Sequence, residues 1–134
     1  CEYFLNGKSI SIYGKDYPSK DGTAIRDFIH VMDLADAHLK SAEYLLKYKK
    51  SIILNCGYGN GYSVKQVIDK FNSISKNKKI FFNYKSRRKG DLFRLVAHNK
   101  KLKNKLKWKP KYNSLKKILI SSLNWEKKIH QNDG

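Results

Sequence analysis

One run of residues, 12–38, constrains the fold of this chain more than any other part of it. It contains a strand end, two turn signals, an arginine in an apolar context and the start of a helix. The alternation of small polar and apolar residues over 9–13 predicts a strand that ends at Gly14. Residues 16–22 contain Tyr-Pro and Asp-Gly pairs and are predicted to turn, and apolar residues 28–31 lead into the helix.

Asp33 is predicted to cap this first helix, and Asp36 places negative charge near the positive N-terminal end of the helix. The helix is expected to end near Lys49. Residues 51–55 are then predicted to form a short strand. Four apolar side chains recur at helical spacing and predict the buried face of the helix: Ala35, Leu39, Ala42 and Leu46.

A second helix is predicted to begin at Ser63, because Ser63 and Gln66 match a capping box. Residues 79–83 are predicted as a strand, residues 95–97 as a brief extended segment and residues 100–106 as a short helix. The predicted buried stripe of the second helix is Val64, Val67, Ile68 and Phe71.

Ser114 is predicted to cap a last helix with one largely apolar side: Leu115, Ile118, Leu119, Ser122 and Trp125. Strands that alternate with helices predict an α/β or an α+β domain. A chain of 134 residues is long enough for one domain with its own core, and residues 1–134 are predicted to form a single domain.

The formal net charge of +18 has two interpretations. Lysine and arginine can neutralise the phosphates of nucleic acid or anionic lipid. The chain is also rich in Lys, Asn, Ile and Tyr together, as expected from an AT-rich genome. Because the lysines are scattered, as at Lys47, Lys76 and Lys79, no nucleic-acid partner is predicted, although a positive field would attract a nucleotide diphosphate.

No segment approaches the roughly 20 apolar residues that a membrane span needs, so no membrane partner is predicted. The two cysteines, Cys1 and Cys56, form no Cys-x-x-Cys pair and have no histidine cluster beside them. We therefore predict reduced thiols, a cytoplasmic protein and no metal site.

The run Gly57-Tyr-Gly-Asn-Gly61 follows a predicted strand and precedes a predicted helix, as a dinucleotide-binding loop does. It lacks the third glycine at the required offset, and no acidic residue ends a second strand about 20 positions later. A glycine-rich turn is the favoured interpretation, and no cofactor-binding residue is predicted in this chain.

The run Arg87-Arg-Lys-Gly-Asp91 suits a nucleoside diphosphate. Guanidinium groups bind phosphate through two parallel hydrogen bonds. Gly90 allows a tight turn, and the carboxylate of Asp91 can accept hydrogen bonds from two ribose hydroxyls. An ordinary solvated loop can have the same composition, so both interpretations stay open at this point.

Arg26 lies next to an apolar segment and, if partly buried, needs an anionic partner, either Asp27 or a ligand phosphate. Tyr13 sits at a strand end, where its ring can either stack on a base or complete the edge of the core. His30 is interpreted as a structural histidine and His38 as a surface residue of the first helix.

Several runs together resemble the UDP-glucose 4-epimerase family of the extended short-chain dehydrogenase/reductase class. The most specific runs are Asp16-Tyr-Pro-Ser-Lys-Asp-Gly-Thr23, Ile25-Arg-Asp-Phe-Ile-His-Val31 and Asp33-Leu-Ala-Asp-Ala-His38. The resemblance starts partway through that family. It implies the C-terminal substrate-binding domain of an extended short-chain dehydrogenase/reductase, without most of the N-terminal Rossmann domain. Shorter matches are Asn55-Cys-Gly57, Gly61-Tyr-Ser-Val64, Arg87-Arg-Lys-Gly-Asp91, Leu95-Val-Ala97 and Trp108-Lys-Pro110.

The resemblance also implies binding roles. Arg26 and Arg88 are expected to bind the pyrophosphate of a UDP-sugar, and Asp91 is expected to bind the uridine ribose. Leu95 falls near the family's gating position beside the sugar, where a smaller, apolar residue could admit N-acetylated hexoses. Three further residues are expected to lie against the uracil: Ile10, Ser11 and Tyr13.

For the intact enzyme the resemblance implies tightly held NAD, which takes a hydride from C4 of the hexose and returns it to the other face of a 4-keto intermediate. The NAD loop and a proton-transferring Tyr-x-x-x-Lys pair belong to the family's N-terminal half. We assign no such pair here, because four tyrosines fail the spacing: Tyr13, Tyr44, Tyr58 and Tyr84. The chain is therefore expected to be inactive alone, and the intact protein to form a homodimer.

The chain departs from the family at Phe93 and Arg94, where proline or alanine is frequent, and at His98, where the family carries aspartate. Two alternatives therefore remain. One is another NAD-dependent sugar-nucleotide epimerase, acting on a UDP-N-acetylhexosamine or a UDP-pentose. The other is a free-standing basic module that binds nucleotides or nucleic acid.

Overall fold

A computed structural model of the chain describes residues 7–75 and 79–132. Strands and helices are mixed along those ranges, as the sequence predicts, but they do not alternate strictly. Their bounds, in chain order, are β1 (Ile10–Tyr13), β2 (Ile25–Arg26), α1 (Val31–Tyr48), β3 (Tyr62–Ser63), α2 (Val64–Ile74), β4 (Phe82–Lys85), β5 (Arg94–Leu95), α3 (Lys100–Leu106) and α4 (Leu115–Asn132). No helix in the described ranges is both long and apolar enough to cross a membrane.

The strands form two small sheets. In the first, β1 and β4 are parallel, with Ile10 opposite Phe82 and Tyr13 opposite Lys85. In the second, β2 lies between β3, to which it is antiparallel, and β5, to which it is parallel. Because β1 and β4 run in the same direction, the segments that follow them leave the sheet at the same end of the strands.

Among residues 7–75 and 79–132, two apolar clusters form the core. The first joins α2 to α4 through Phe71, Leu115, Leu119 and Leu123. The second surrounds the fully buried Trp108 and consists of Ala37, Tyr58, Leu102, Leu106 and Trp108. The predicted stripe of α2 is confirmed, because Ile68 and Phe71 are buried. The predicted stripe of α4 is wrong in its last turns, where Ser122 is exposed and Trp125 is 61% exposed.

The prediction that Asp33 caps α1 is wrong. The N-cap is His30, whose Nδ1 accepts a hydrogen bond from the backbone N–H of Met32 at 3.1 Å. Asp33 lies inside the first turn and is 3% exposed. A histidine cap is uncommon, and the propensity for aspartate at helix starts therefore pointed to a residue three positions too late.

The buried carboxylate of Asp33 joins α1 to the segment that precedes α4. It accepts hydrogen bonds from the Tyr58 hydroxyl at 2.5 Å and from the backbone N–H groups of Lys111 and Tyr112, both at 2.8 Å. The backbone carbonyl of Asp33 also accepts from Nε1 of Trp108 at 3.2 Å. These bonds satisfy a charge that would be costly to bury alone.

The predicted buried face of α1 is wrong. Its residues, hereafter the α1 apolar face, are exposed, with Leu39 at 61% and Leu46 at 70%: Ala35, Leu39, Ala42 and Leu46. The side of α1 that packs inward instead carries Asp33 and Ala37. Helical periodicity identifies an apolar side but does not say which partner covers it, and within the described residues this side is uncovered.

Two strand predictions also need correction. Residues 51–55 form no strand in the described part of the chain, and Ile53 in that segment is 86% exposed. The strand predicted at 79–83 begins later, at Phe82. The Asn72 side chain accepts a hydrogen bond from the backbone N–H of Ile80 at 2.7 Å, which ties that residue to α2 instead of to β1.

Candidate functional site

The candidate site forms where β1 and β4 end side by side. The N–H of Gly14, just beyond β1, donates to the carbonyl of Lys85 at 2.9 Å. The turn that follows β1 and the arginine loop that follows β4, residues 86–91, therefore start in contact. The parallel strands thus bring together two segments that lie about 70 residues apart in sequence.

Arg88 stacks on the ring of Tyr13, with its guanidinium carbon 3.8 Å from the ring centroid. The side chain of Arg88 is exposed, and within residues 7–75 and 79–132 it has no carboxylate or carbonyl partner. Its N–H donors are therefore available to an anion, while the ring holds the guanidinium plane in place. Stacking of this face of Tyr13 on a base would compete with Arg88.

A tight turn connects Arg88 to Asp91. The N–H of Asp91 donates to the carbonyl of Arg88 at 3.2 Å, and Gly90 has φ +79°. An L side chain rarely adopts that φ, so glycine suits this position. As the sequence predicts, Gly90 lets the loop turn sharply, and an available guanidinium and a carboxylate stand at the two ends of that turn.

Arg26 forms an ion pair with Asp91, and both side chains are about a quarter exposed. Asp27, which the sequence offered as an alternative partner for Arg26, does not pair with it. Arg26 also donates from Nη1 to the carbonyl of Ile25 at 2.8 Å. Two of the residues expected to bind a ligand are thus brought into contact with each other.

The carboxylate of Asp27 is used by the glycine-rich turn. It accepts hydrogen bonds from the N–H groups of Tyr58 at 3.1 Å, Gly59 at 2.9 Å and Ala97 at 3.2 Å. A dinucleotide loop needs free amides for its phosphates. Two amides of this turn already bind the carboxylate of Asp27 and are not free for phosphates. This supports the interpretation of the run as a glycine-rich turn.

Gly57 lets the glycine-rich turn approach Asp27 closely. A Cβ atom added at Gly57 would lie 2.5 Å from Oδ2 of Asp27 and 2.6 Å from Cβ of Ala97. We expect Gly57→Ala to lower the free energy of unfolding by about 1–3 kcal/mol, measured by urea denaturation, because overpacking forces neighbours to shift. At Gly90 an added methyl group meets open space, so Gly90→Ala should cost no more than about 1 kcal/mol, for its left-handed backbone. Equal losses in the two variants would contradict this explanation.

The remaining predicted residues fall into two places. Ile10 and Ser11 lie on β1, and both are half-buried. Leu95 is 59% exposed on β5 and, with Arg26, lines an open cavity of about 560 Å³. His98, one of the departures from the family pattern, lines the same cavity.

The histidines keep the roles predicted for them. His30 caps α1 and stacks on Tyr112, with ring centroids 4.5 Å apart. His38 is exposed, and its Nδ1 lies 2.8 Å from the carbonyl oxygen of Leu34. No group of three or more potential metal ligands occurs in the described ranges, and Cys1 lies outside them. The thiol of Cys56 is free.

One tyrosine–lysine spacing was missed in the sequence, namely Tyr112 and Lys116. A catalytic pair at this spacing relies on a helix to place both side chains on one face. Tyr112 lies before α4 begins at Leu115, and its ring stacks on His30. The pair therefore lacks the helical geometry that a catalytic tyrosine and lysine need.

A family model described as GDP-mannose 4,6 dehydratase matches residues 3–119, and the chain belongs to that family. Among curated relatives, the UDP-glucose 4-epimerase of Rhizobium leguminosarum bv. trifolii is 42% identical over 92% of this chain. That match covers 37% of the relative, so the chain spans little more than a third of its length.

Solved structures agree with this relationship. The UDP-Glc/GlcNAc 4-epimerase of Campylobacter jejuni is 42% identical with a TM-score of 0.79, over 94% of this chain and 38% of that one. The UDP-glucose 4-epimerase of Bifidobacterium longum, solved with NAD+ and UDP, is 35% identical with a TM-score of 0.78, over 90% and 35%. The predicted α/β fold, that of the C-terminal portion of an extended short-chain dehydrogenase/reductase, is confirmed.

Proposed function

We propose that this chain is the UDP-sugar-binding part of a UDP-glucose 4-epimerase. The observation that carries the proposal is the turn from Arg88 to Asp91, which has an available guanidinium at one end and, at the other, a carboxylate paired with Arg26. Guanidinium groups suit a pyrophosphate, and a carboxylate suits the two hydroxyls of a ribose. Relatives at about 40% identity are named UDP-glucose 4-epimerase, which supports a UDP-sugar as the ligand.

The proposed roles follow the geometry of the two arginines. Arg88 binds the pyrophosphate with its unused donors, and Arg26 binds it from the other side while keeping one N–H on Asp91. Asp91 then presents its second oxygen to the ribose. The strand residues Ile10 and Ser11 lie against the uracil, and Tyr13 sits beside it, its ring shared with Arg88.

Catalysis requires groups that lie in the part of the relatives' sequences that this chain does not match. NAD, when bound there, supplies the reversible oxidation at C4 of the sugar. The glycine-rich turn of this chain does not fit that cofactor, since two of its amides bind Asp27. The contribution of this chain is to hold and orient the substrate, and alone it is inactive.

The α1 apolar face offers a docking surface for that remaining part. Leu39 is 61% exposed and Leu46 is 70% exposed on one face of α1, and contiguous exposed apolar side chains are typical of surfaces that another part of a protein covers. Residues 51–56, unpaired in the described part of the chain, follow α1 directly. The intact protein is further proposed to be a cytoplasmic homodimer.

The test of the proposal is calorimetric titration of the chain with UDP. A charged hydrogen bond is worth about 1.5–3 kcal/mol, so Arg88→Ala and Asp91→Ala should each weaken binding by about 10- to 100-fold. Lys89→Ala is the matched control, because it removes a charge from the same loop at a residue with no proposed contact. Its affinity should stay within about threefold.

Equal weakening in Arg88→Ala and Lys89→Ala would show that charge alone attracts the nucleotide. Binding of single-stranded RNA that falls steeply with salt, without preference for UDP, would favour the basic-module alternative. Either result would overturn the proposed function.

A second substrate is favoured by the exposed Leu95 beside Arg26. A leucine at this position leaves more room beside the sugar than a tyrosine does. The Campylobacter jejuni relative is named as acting on both UDP-Glc and UDP-GlcNAc. We therefore propose that the intact protein also accepts N-acetylated hexoses, and no turnover of UDP-N-acetylglucosamine by a full-length version would exclude this.

A further inference from the structure

We propose that Arg87 is a positioning residue that clamps the turn after β1 to the arginine loop and thereby holds Arg88 ready for a diphosphate. This inference rests on the proposed function. The two adjacent arginines then have different roles. Arg87 binds the turn after β1, and Arg88 binds the ligand.

Arg87 is bound on three sides. Its Nε donates to Oδ1 of Asp16 at 2.8 Å, and its Nη2 donates to the backbone carbonyl of the same residue. The guanidinium carbon lies 4.2 Å from the ring centroid of Tyr17. Two of its N–H donors and one face of its plane are therefore occupied by this chain, whereas among the described residues the Arg88 side chain makes only the ring contact.

The partners of Arg87 are themselves fixed. Tyr17 is 4% exposed, and a Cβ atom added at Gly14 would lie 2.4 Å from Cε2 of Tyr17 and 3.0 Å from Cγ of Arg87. Gly14 also has φ +88°. The close packing joins the backbone at Gly14, the ring of Tyr17 and the side chain of Arg87. The turn after β1 and the arginine loop therefore cannot separate without breaking these contacts.

The clamp acts on Arg88 through the backbone. Arg87 precedes Arg88 directly, and β4 ends two residues earlier at Lys85. With both Lys85 and Arg87 bound to the segment after β1, the position of Arg88 over Tyr13 is set before any ligand arrives. Ordering a long side chain in advance removes a cost that would otherwise weaken binding.

Replacing Asp16 tests the clamp, because a clamp and simple electrostatics predict opposite changes in affinity for an anion. Asp16 is exposed, and its carboxylate accepts a hydrogen bond from Nε of Arg87. The hydrogen bond from Arg87 lowers the pKa of this carboxyl below its usual value, so it is ionised at neutral pH. Removing its charge should strengthen binding of an anion if only electrostatics matters, and weaken it if the clamp matters.

The experiment measures affinity for UDP and for inorganic pyrophosphate in Asp16→Asn, Arg87→Ala and Arg88→Ala, and in the two double variants with Arg88→Ala. We expect Arg87→Ala to weaken binding of both ligands by about five- to tenfold and Asp16→Asn by about two- to threefold. In the Arg88→Ala background both changes should have less than a twofold effect, because the residue they position is gone. Circular dichroism of each variant checks that it is folded.

Tighter binding in Asp16→Asn, or losses that multiply with that of Arg88→Ala, would overturn the clamp and make Arg87 an independent contact. An unchanged affinity in Arg87→Ala would also overturn it. If Arg87→Ala does not fold, Asp16→Asn decides alone. A loss in Arg88→Ala without one in the other variants rejects the clamp but leaves the proposed function standing. Equal UDP binding by the wild-type chain and Arg88→Ala rejects the proposed function itself.

Discussion

Replacement of Asp33 by asparagine is expected to lower the free energy of unfolding by about 3 kcal/mol, measured by urea denaturation at pH 7. The Asp33 carboxylate accepts from Tyr58 at 2.5 Å and from the N–H groups of Lys111 and Tyr112 at 2.8 Å. Asparagine offers one oxygen in place of two and brings an NH₂ group toward buried donors. At least one of those donors would then lose its partner.

Asp36 supplies the matched control. It lies one turn further along α1 and is only half-buried, and its side chain makes no hydrogen bond or ion pair within residues 7–75 and 79–132. Asp36→Asn should change the free energy of unfolding by less than about 0.5 kcal/mol. If both asparagine variants are equally stable, the Asp33 network does not hold these segments together.

The same carboxylate makes stability depend on pH. Burial raises the pKa of Asp33, but the hydrogen bonds from Tyr58, Lys111 and Tyr112 outweigh this, and the net pKa is below the usual value. A carboxyl whose pKa is lower in the folded state stabilises the protein at neutral pH. This contribution begins to disappear near the unfolded-state pKa of about 4 and is lost as the pH falls through the lower folded-state pKa. The stability gap between wild type and Asp33→Asn should therefore narrow between about pH 5 and pH 3. A constant gap would contradict this assignment.

The second large effect is a gain of epimerase activity, which we expect when this chain is joined to the part of a relative that it does not match. Alone, it should show no conversion of UDP-galactose to UDP-glucose. A chimera in which it replaces the matching third of the Rhizobium leguminosarum enzyme should epimerise in the presence of NAD, measured by a coupled assay of UDP-glucose. In that chimera Arg88→Ala should lower kcat/KM by about 10- to 100-fold.

The α1 apolar face provides the control for that experiment. Leu39→Lys places a charge at the proposed junction and should abolish the gain of activity, whereas Lys40→Ala at the neighbouring position should preserve it. Epimerisation by this chain alone would refute the division of labour, because the catalytic groups would then lie within it. Full activity of the Leu39→Lys chimera would refute the docking surface.

Features encoded by neighbouring residues could be predicted from the sequence. Ser63 and Gln66 form the expected capping box, and the short helix lies at Lys100–Leu106 as predicted. Gly90 turns the arginine loop as expected. Each of these depends on residues within four positions of one another, where propensity and spacing carry enough information.

Features set by distant partners could not be predicted in this way. The buried side of α1 is chosen by a carboxylate whose donors lie about 80 residues further on, at Lys111 and Tyr112. The pairing of Arg26 with Asp91, instead of with Asp27, depends on two separate strands meeting. The proposed roles in UDP binding came from a resemblance to a family, and spacing alone left them open.

The parallel pairing of β1 with β4 has a consequence for biosynthesis. Ile10 pairs with Phe82, so the ribosome must add about 70 residues after the first strand before its partner exists. At roughly 5–20 residues per second, this takes about 4 to 14 seconds. During that time β1 lacks the strand with which it pairs in the folded domain, and bringing that strand to it requires closing a long loop. This domain should therefore fold late in synthesis, and a nascent chain stalled before Phe82 should bind chaperones that recognise unpaired strands.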